Sequence, residues 1–324
     1  MKFEPLAREW LVQAEREGEL KPLTLKRFQQ TQERTYQAIG HLYVDKITTR
    51  QLQQFINNLA EDGINKQTGG GLSTKTQKLY LNFISDVFKY AIKNGLATDN
   101  PCRNVTAIKK PKKERELLTP EQASDFLTAL EDAPVKYRTF FTLAVYGGFR
   151  RGELLGFEWK DVDFDNRVIT VNRISYVDKG GMATGTPKTK TSRRSLKLPE
   201  IVFQQLREHR AEQLRDRLKL GDAWHDTDRL FTTWNGEPMG GDSARHWLEK
   251  FCKAHGLPVV NIHSFRHLNA SLLISAGADI RTVSSALGHS QTSTTLDIYA
   301  HAFAEQQAIA SEAVADALTL RKKA

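Results

Sequence analysis

The 324-residue chain has only two cysteines, Cys102 and Cys252, far apart in sequence. That excludes a disulfide framework and any zinc motif built on paired cysteines, and it suits a reducing cytosol. No run approaches the roughly 20 apolar residues needed to span a bilayer. The start, MKFEPLAREWL, carries charges and has no signal-peptide core. The chain contains no GxxxxGK phosphate loop and no run of carboxylates spaced as a metal site. Negative charge is in deficit, with 47 Lys and Arg against 38 Asp and Glu, a net charge of +9. An anionic partner, nucleic acid or a membrane surface, fits that balance. So does a basic enzyme that binds neither, because +9 is modest on this length.

What is present supports two domains. Phe3, Leu6, Ala7, Trp10 and Leu11 recur at helical spacing, as do Leu52, Phe55, Ile56 and Leu59. After the Gly-rich INKQTGGG, Ser73 is placed to cap a long helix ending near Asn94 and Gly95. Residues 103–115, RNVTAIKKPKKER, hold six positive side chains, one negative and Pro111, which reads as an exposed linker. The segment Thr119-Pro120-Glu121-Gln122 reads as a new helix start. An apolar helix, YRTFFTLAVYGG, follows. Three strand-like runs, RVITV, ISYV and RRSLKL, predict a hairpin or small three-stranded sheet, with DKGGMATGTPKTKTS as a turn. Helices are predicted at 199–219, 240–255, 264–276 and 279–287, with a last one from near Ser293. The division is therefore a helical domain at 1–102, a basic linker at 103–118, and a larger domain at 119–324 with a tail at 300–324.

The segment NIHSFRHLNAS places His263, Arg266 and His267 at one helix start. His263 and His267, four apart, match the spacing of the zinc motif HExxH, but Ser264 stands where that motif needs its glutamate. A cap at His263 with His267 packed in the core is the bland reading. Phosphate fits better, since the tips of His263 and Arg266 can converge on one anion. In GGFRRGELLG, Arg150 follows a small-residue turn and Glu153, three on, can orient its guanidinium for bidentate contact. TPKTKTSRR puts Lys188 beside a strand. ALGHSQTSTTLDIYAH brings His289 after Gly288, and then Tyr299. Alone, the segment 278–299 resembles a helix-turn-helix, which would need no catalysis.

In this order and spacing, Arg150 in GGFRRGE, Lys188, His263-Ser-Phe-Arg266, His289 in LGH and Tyr299 in TTLDIYAH resemble the tyrosine recombinases, the phage and transposon integrases. Departures are small: Gly147-Gly148 for the frequent Thr-Gly, Phe265 for Leu, and Leu268 after His267 for Thr. TTLDIYAH resembles integrases of Gram-positive phages and conjugative transposons more than the housekeeping chromosome-dimer resolvases. The resemblance implies a multidomain, mainly α chain. Its parts would be a helical core-binding domain and an α+β catalytic domain with a small three-stranded antiparallel sheet.

It also implies roles. Tyr299 is the nucleophile, forming a 3′-phosphotyrosyl link to DNA while a 5′ hydroxyl departs. Arg150, Arg266 and His289 clamp the phosphate, Glu153 orients Arg150, His263 accepts the phenol proton or shares in binding phosphate, and Lys188 is the acid. Physical chemistry agrees: a phenol with a pKa near 10 is about one part in a thousand ionised at neutral pH, so it needs an acceptor or a positive field. Lys109, Lys110, Lys112, Lys113 and Arg115 would strap the linker onto the DNA backbone. One ester is exchanged for another, so no cofactor is implied. The implied partners are double-stranded core or attachment sites, three further copies in a tetramer on paired sites, and accessory excision or DNA-bending proteins. The setting would be the cytoplasm of a bacterial host, with a monomer before DNA arrives and no membrane. Two other readings remain: a type IB topoisomerase, which relaxes DNA without exchanging strands between duplexes, and a non-catalytic helix-turn-helix binder.

Overall fold

Apolar residues at helical spacing raise four α-helices among the described residues of the first of two units, Met1–Glu114 and Arg115–Ala324. The computed structural model describes residues 1–20, 22–109, 118–178, 181–186 and 192–319. In the first unit the helices are α1 (Phe3–Arg16), α2 (Pro22–Thr35), α3 (Thr49–Asn58) and α4 (Thr74–Lys93). Every residue of the two expected stripes is buried. Trp10, Phe28 and Phe83 meet with ring centroids 5.6–6.1 Å apart, tying α1, α2 and α4 together. Ser73 caps α4 by accepting from the Thr76 N–H.

The stretch from 103, read as exposed linker, departs from that reading up to Ile108. Val105 is buried in the helical core. Gln53 bonds both the N–H and the carbonyl of Thr106, at 2.9 Å each. The Ile108 N–H donates to Gln77 and its carbonyl accepts from Thr74. Backbone groups met by Gln and Thr side chains seal this segment, a partnership its basic composition does not reveal.

In the second unit, α5 (Pro120–Ala129) starts with the expected capping box between Thr119 and Gln122. Then come α6 (Val135–Gly147), α7 (Arg151–Leu154) and five strands: β1 (Val162–Asp163), β2 (Val168–Val171), β3 (Ile174–Asp178), β4 (Gly181–Gly185) and β5 (Arg194–Lys197). A three-stranded antiparallel sheet is present, in the order β1-β2-β5. Its membership differs from the sequence reading. ISYV pairs instead with GMATG, read as turn, in the register Ile174↔Gly185 to Asp178↔Gly181. Backbone pairing carries that ribbon, and its small, polar residues leave no alternating pattern to read. Five helices complete the unit: α8 (Glu200–Leu220), α9 (Gly241–Ala254), α10 (Ile262–Ser275), α11 (Ile280–Leu287) and α12 (Thr292–Thr319). Helix α10 packs on α6, and α11 and α12 pack against α10.

His209 on α8 is buried in this core. It stacks on Phe231 and its Nε2 donates to the Leu230 carbonyl at 2.6 Å. Burial pushes its pKa down to about 4. The unfolded chain therefore takes up this proton first. The associated stability is complete above an unfolded pKa of about 6.5 and is lost as pH falls from there toward about 4. Urea unfolding at pH about 7.5 and about 5.5 should differ by on the order of 1 kcal/mol from this residue. In His209→Gln, whose amide can keep the bond to Leu230, that part of the difference should vanish. An unchanged pH dependence in the variant would contradict this account.

Candidate active site

Helix α6 ends in a left-handed turn, with Gly148 at φ 55°. A Cβ there would lie 2.6 Å from the Asn269 side-chain oxygen, so only glycine lets this corner sit against α10. The corner delivers Arg150. Three residues on, the carboxylate of Glu153 accepts from the Arg150 N–H at 2.9 Å and its Nη1 at 2.8 Å. Arg194 of β5 donates to both oxygens of the same carboxylate, at 2.9 and 3.2 Å. Glu153 is 1% exposed. Burial opposes its charge, yet Arg194 and then Arg150 outweigh that and hold its carboxyl below the ordinary range. Arg194 also donates Nε–H to the Ala286 carbonyl at 2.6 Å, tying the sheet to α11. The motif reading did not single Arg194 out. Strand alternation counted back from Leu198 and Leu196 would have turned it, not Arg193, inward.

Arg266 is 2% exposed. It donates to the Gly148 carbonyl at 2.9 Å and the Leu287 carbonyl at 2.5 Å. Arg150 donates to the neighbouring Gly288 carbonyl at 3.0 Å. The last carbonyls of a helix lack intrahelical donors, and here two guanidiniums meet the end of α11. Gly288, at φ 63°, makes the turn. The segment 278–299 is thus a helix, turn and helix, and its turn forms a wall of this cluster. His289 follows, with Nδ1 2.7 Å from Thr295 Oγ1. Burial, then the charges of Arg266, Arg150 and Arg194, push its pKa down to about 4. Burial, then Arg150, lowers that of Arg266 to about 9, still charged at neutral pH.

Tyr299 interrupts α12 with non-helical angles, φ −119° and ψ 18°. It is 4% exposed, packed with Ala270, Ile274, Val283 and Leu287. Burial raises its pKa to about 12, and Arg266 works against that rise. Its hydroxyl lies 2.8 Å from Nδ1 of His267. His263, expected as its proton acceptor, is exposed and meets the His267 ring edge-on, centroids 4.9 Å apart. The helix cap that His263 was also read as is Asn261, whose side chain accepts from the His263 N–H. The residue at the hydroxyl is therefore His267, one helical turn on. The i, i+4 pairing weighed for zinc was the available signal.

The structure thus brings Arg150, Glu153, His263, Arg266, His289 and Tyr299 into one cluster and adds Arg194 and His267. Lys188, Lys110, Lys112, Lys113 and Arg115 lie outside the described residues. Lys109 is described, and is exposed. No group of three His, Cys, Asp or Glu among the described residues is placed to hold a metal ion.

Two family models match the chain: "Phage integrase family" over residues 116–306 and "Phage integrase central domain" over residues 3–107. A XerC-like tyrosine recombinase of Caldanaerobacter subterraneus subsp. tengcongensis is 31% identical over 328 residues, 95% of this chain and 81% of its own length. The Tn1549 transposon integrase, solved with transposon right end DNA, superposes with a TM-score of 0.79 at 23% identity, covering 97% of this chain and all of that one. A lambda integrase, solved as a tetramer bound to a Holliday junction, gives 0.62 at 19% identity, covering 90% and 78%. At those identities the two structures speak for the fold.

Glu153 is the one carboxylate bonded to both Arg150 and Arg194 among the described residues. Glu153→Ala would leave charges in a buried site without their counterion, which costs about 3–5 kcal/mol when one partner of a buried pair is removed. Urea unfolding should show that loss. A change below about 1 kcal/mol, the scale of a surface pair, would mean the network carries no such load.

Proposed function

As the chain belongs to the phage integrase family and is a tyrosine recombinase of site-specific DNA recombination, we propose that Tyr299 is its nucleophile and that Arg150, Arg266 and His289 bind the scissile phosphate. The observation that carries this reading is the meeting of Arg150 and Arg266 at the turn before His289, with Tyr299 in the field of Arg266. Three guanidiniums face one carboxylate there, so the cluster favours an anion. As phosphorus is attacked, charge grows on the non-bridging oxygens, and fixed donors stabilise that charge more than the ground state. Glu153 holds Arg150 in place. Lys188 gives the departing 5′ oxygen its proton.

The substrate in this reading is a double-stranded core or attachment site of a mobile element, which the enzyme integrates or excises. Residues 1–102 bind the core site, and Lys109, Lys110, Lys112, Lys113 and Arg115 contact backbone phosphates, making affinity salt-sensitive. The phosphotyrosyl link conserves ester energy, so the second strand's 5′ hydroxyl completes the exchange without ATP. The reaction takes place on DNA in the bacterial cytoplasm, with accessory excision or bending proteins setting direction.

Tyr299→Phe should abolish covalent adduct on a nicked suicide substrate while leaving one-site binding within about twofold, since only the hydroxyl is lost. An adduct trapped with the variant would remove Tyr299 from the role.

Exchange between two duplexes needs four active sites, and the working form in this reading is a tetramer formed from monomers on DNA. The end of α12 supports it. Ile309 and Val314 are each 60% exposed and Leu318 is 76% exposed, an apolar set of the kind that partners cover. Docked on a neighbouring protomer, it couples each nucleophile to the next site. Truncation after His301 should leave one-site gel shifts unchanged and reduce paired-site complexes and strand exchange by about tenfold or more, as the loss of about 1.4 kcal/mol or more of interface would. Full-rate recombination by the truncated chain would disprove the docking.

A further inference from the structure

We propose that the imidazole of His267 takes the phenol proton of Tyr299 as it attacks the phosphodiester, a role the motif order gives to His263. Three observations carry this. The Nδ1 atom of His267 already stands 2.8 Å from the Tyr299 hydroxyl, the range in which a general base works. Both side chains are buried, which keeps bulk water from competing for the proton. The backbone breaks helical geometry at Tyr299 itself, so the hydroxyl meets α10 at this residue rather than following the helix surface. His263 is exposed and lies beyond the His267 ring, edge-on to it.

The step balances. Nδ1 of neutral His267 accepts the phenol proton, its Nε2 carrying the other. The phenolate oxygen forms its bond to phosphorus. The bond from phosphorus to the 5′ oxygen breaks, its electron pair staying with that oxygen, which takes a proton from Lys188. His267 is then an imidazolium and Lys188 neutral. Attack by the incoming 5′ hydroxyl runs both transfers backwards, so the enzyme is regenerated. Among the described residues, the charged and titratable groups around this pair include His263 and Arg266 on α10 and, around Arg266, Arg150 and Glu153 from α7 and its start, Arg194 from β5 and His289 after α11. The incoming phosphate adds the negative charge that makes an imidazolium tolerable among three guanidiniums.

The inference rests on Tyr299 as nucleophile, and Tyr299→Phe in the same assay tests that separately, through loss of the adduct. For His267, full-length variants are compared in single-turnover cleavage of a nicked core site. His267→Asn places an amide oxygen where Nδ1 stands, keeping a hydrogen bond but taking no proton. We expect His267→Asn and His267→Ala to slow adduct formation by about 100-fold or more, the usual worth of a general base, with one-site binding retained. His263→Ala should cost less than about tenfold, and added imidazole should recover part of the His267→Ala rate. A 5′-bridging phosphorothiolate should not rescue either His267 variant, since their defect is not in the leaving group. His267→Asn cleaving at the wild-type rate would overturn the proposal, leaving His267 only to hold the hydroxyl. So would a larger loss in His263→Ala, or rescue by the phosphorothiolate. If His267→Ala fails to bind the core site, His267→Asn decides. If both fail, a more acidic fluorinated tyrosine at 299 with His267 intact decides: an unshifted pH midpoint for cleavage is expected if His267 is the base, since its own protonation then sets the midpoint, and a midpoint that falls with the phenol's pKa overturns it, since the phenolate then attacks without a base.

Discussion

The carboxylate of Glu153 is the constraint on which the rest of this cluster depends. It is buried, and a buried charge without partners is costly enough that a fold keeps it only when its lone pairs are met. Here it receives the backbone N–H and guanidinium of Arg150 from its own turn and the guanidinium of Arg194 from β5. The bonds are charge-assisted and, with Arg194, two-pronged, so they fix direction as well as distance. Arg194 then reaches the Ala286 carbonyl. One carboxylate thereby sets the angle of Arg150, the seat of the sheet and the position of α11, the helix that ends just before Gly288 and His289.

Around that anchor the charges do not cancel. Arg150, Arg194 and Arg266 share one nearby carboxylate, and backbone carbonyls of Gly148, Leu287 and Gly288 supply partial negative charge in place of a second one. Carbonyl dipoles hold guanidiniums in position without neutralising them. Burial first, and then this field, depress the pKa of His289, since a buried imidazole among cations resists a further proton. An anion entering such a field meets donors already aimed, with little reorganisation left to make. The positive charge of the cluster and the depressed pKa of His289 thus belong to one site that favours an anion.

Tyr299 is held in the opposite condition. Burial keeps its hydroxyl protonated, with a pKa raised to about 12, and only Arg266 pulls the other way. A neutral, enclosed phenol is inert. What can change that state is what reaches it: the charge of Arg266 nearby and the imidazole of His267 in contact. The break in α12 at this residue, with the exposed apolar end of the same helix beyond it, puts Tyr299 on an element that is packed at one end and exposed at the other.

Much of this was legible in the residues alone. Helical stripes such as Phe3 to Leu11 and the caps at Ser73 and Thr119 are local: the residues that form the helix also mark it. Arg150, Glu153, His263, Arg266, His289 and Tyr299 were legible for a different reason, as side chains of matching chemistry in a specific order. What sequence did not carry was anything decided by contacts between distant segments. Strand β4 has no pattern of its own and exists because β3 lies beside it. Residues 103–108 look like a solvated linker until Gln53, Thr74 and Gln77 take their backbone groups. Arg194 is one of many basic residues until Glu153, 41 positions earlier, meets it. The segment NIHSFRHL holds two histidines on one helix face, of which the motif order names only His263, but which of them touches Tyr299 depends on where α12 breaks and how it packs on α10. Order and residue type are properties of the chain. Contact between α12 and α10 is a property of packing, and only the folded structure settles it.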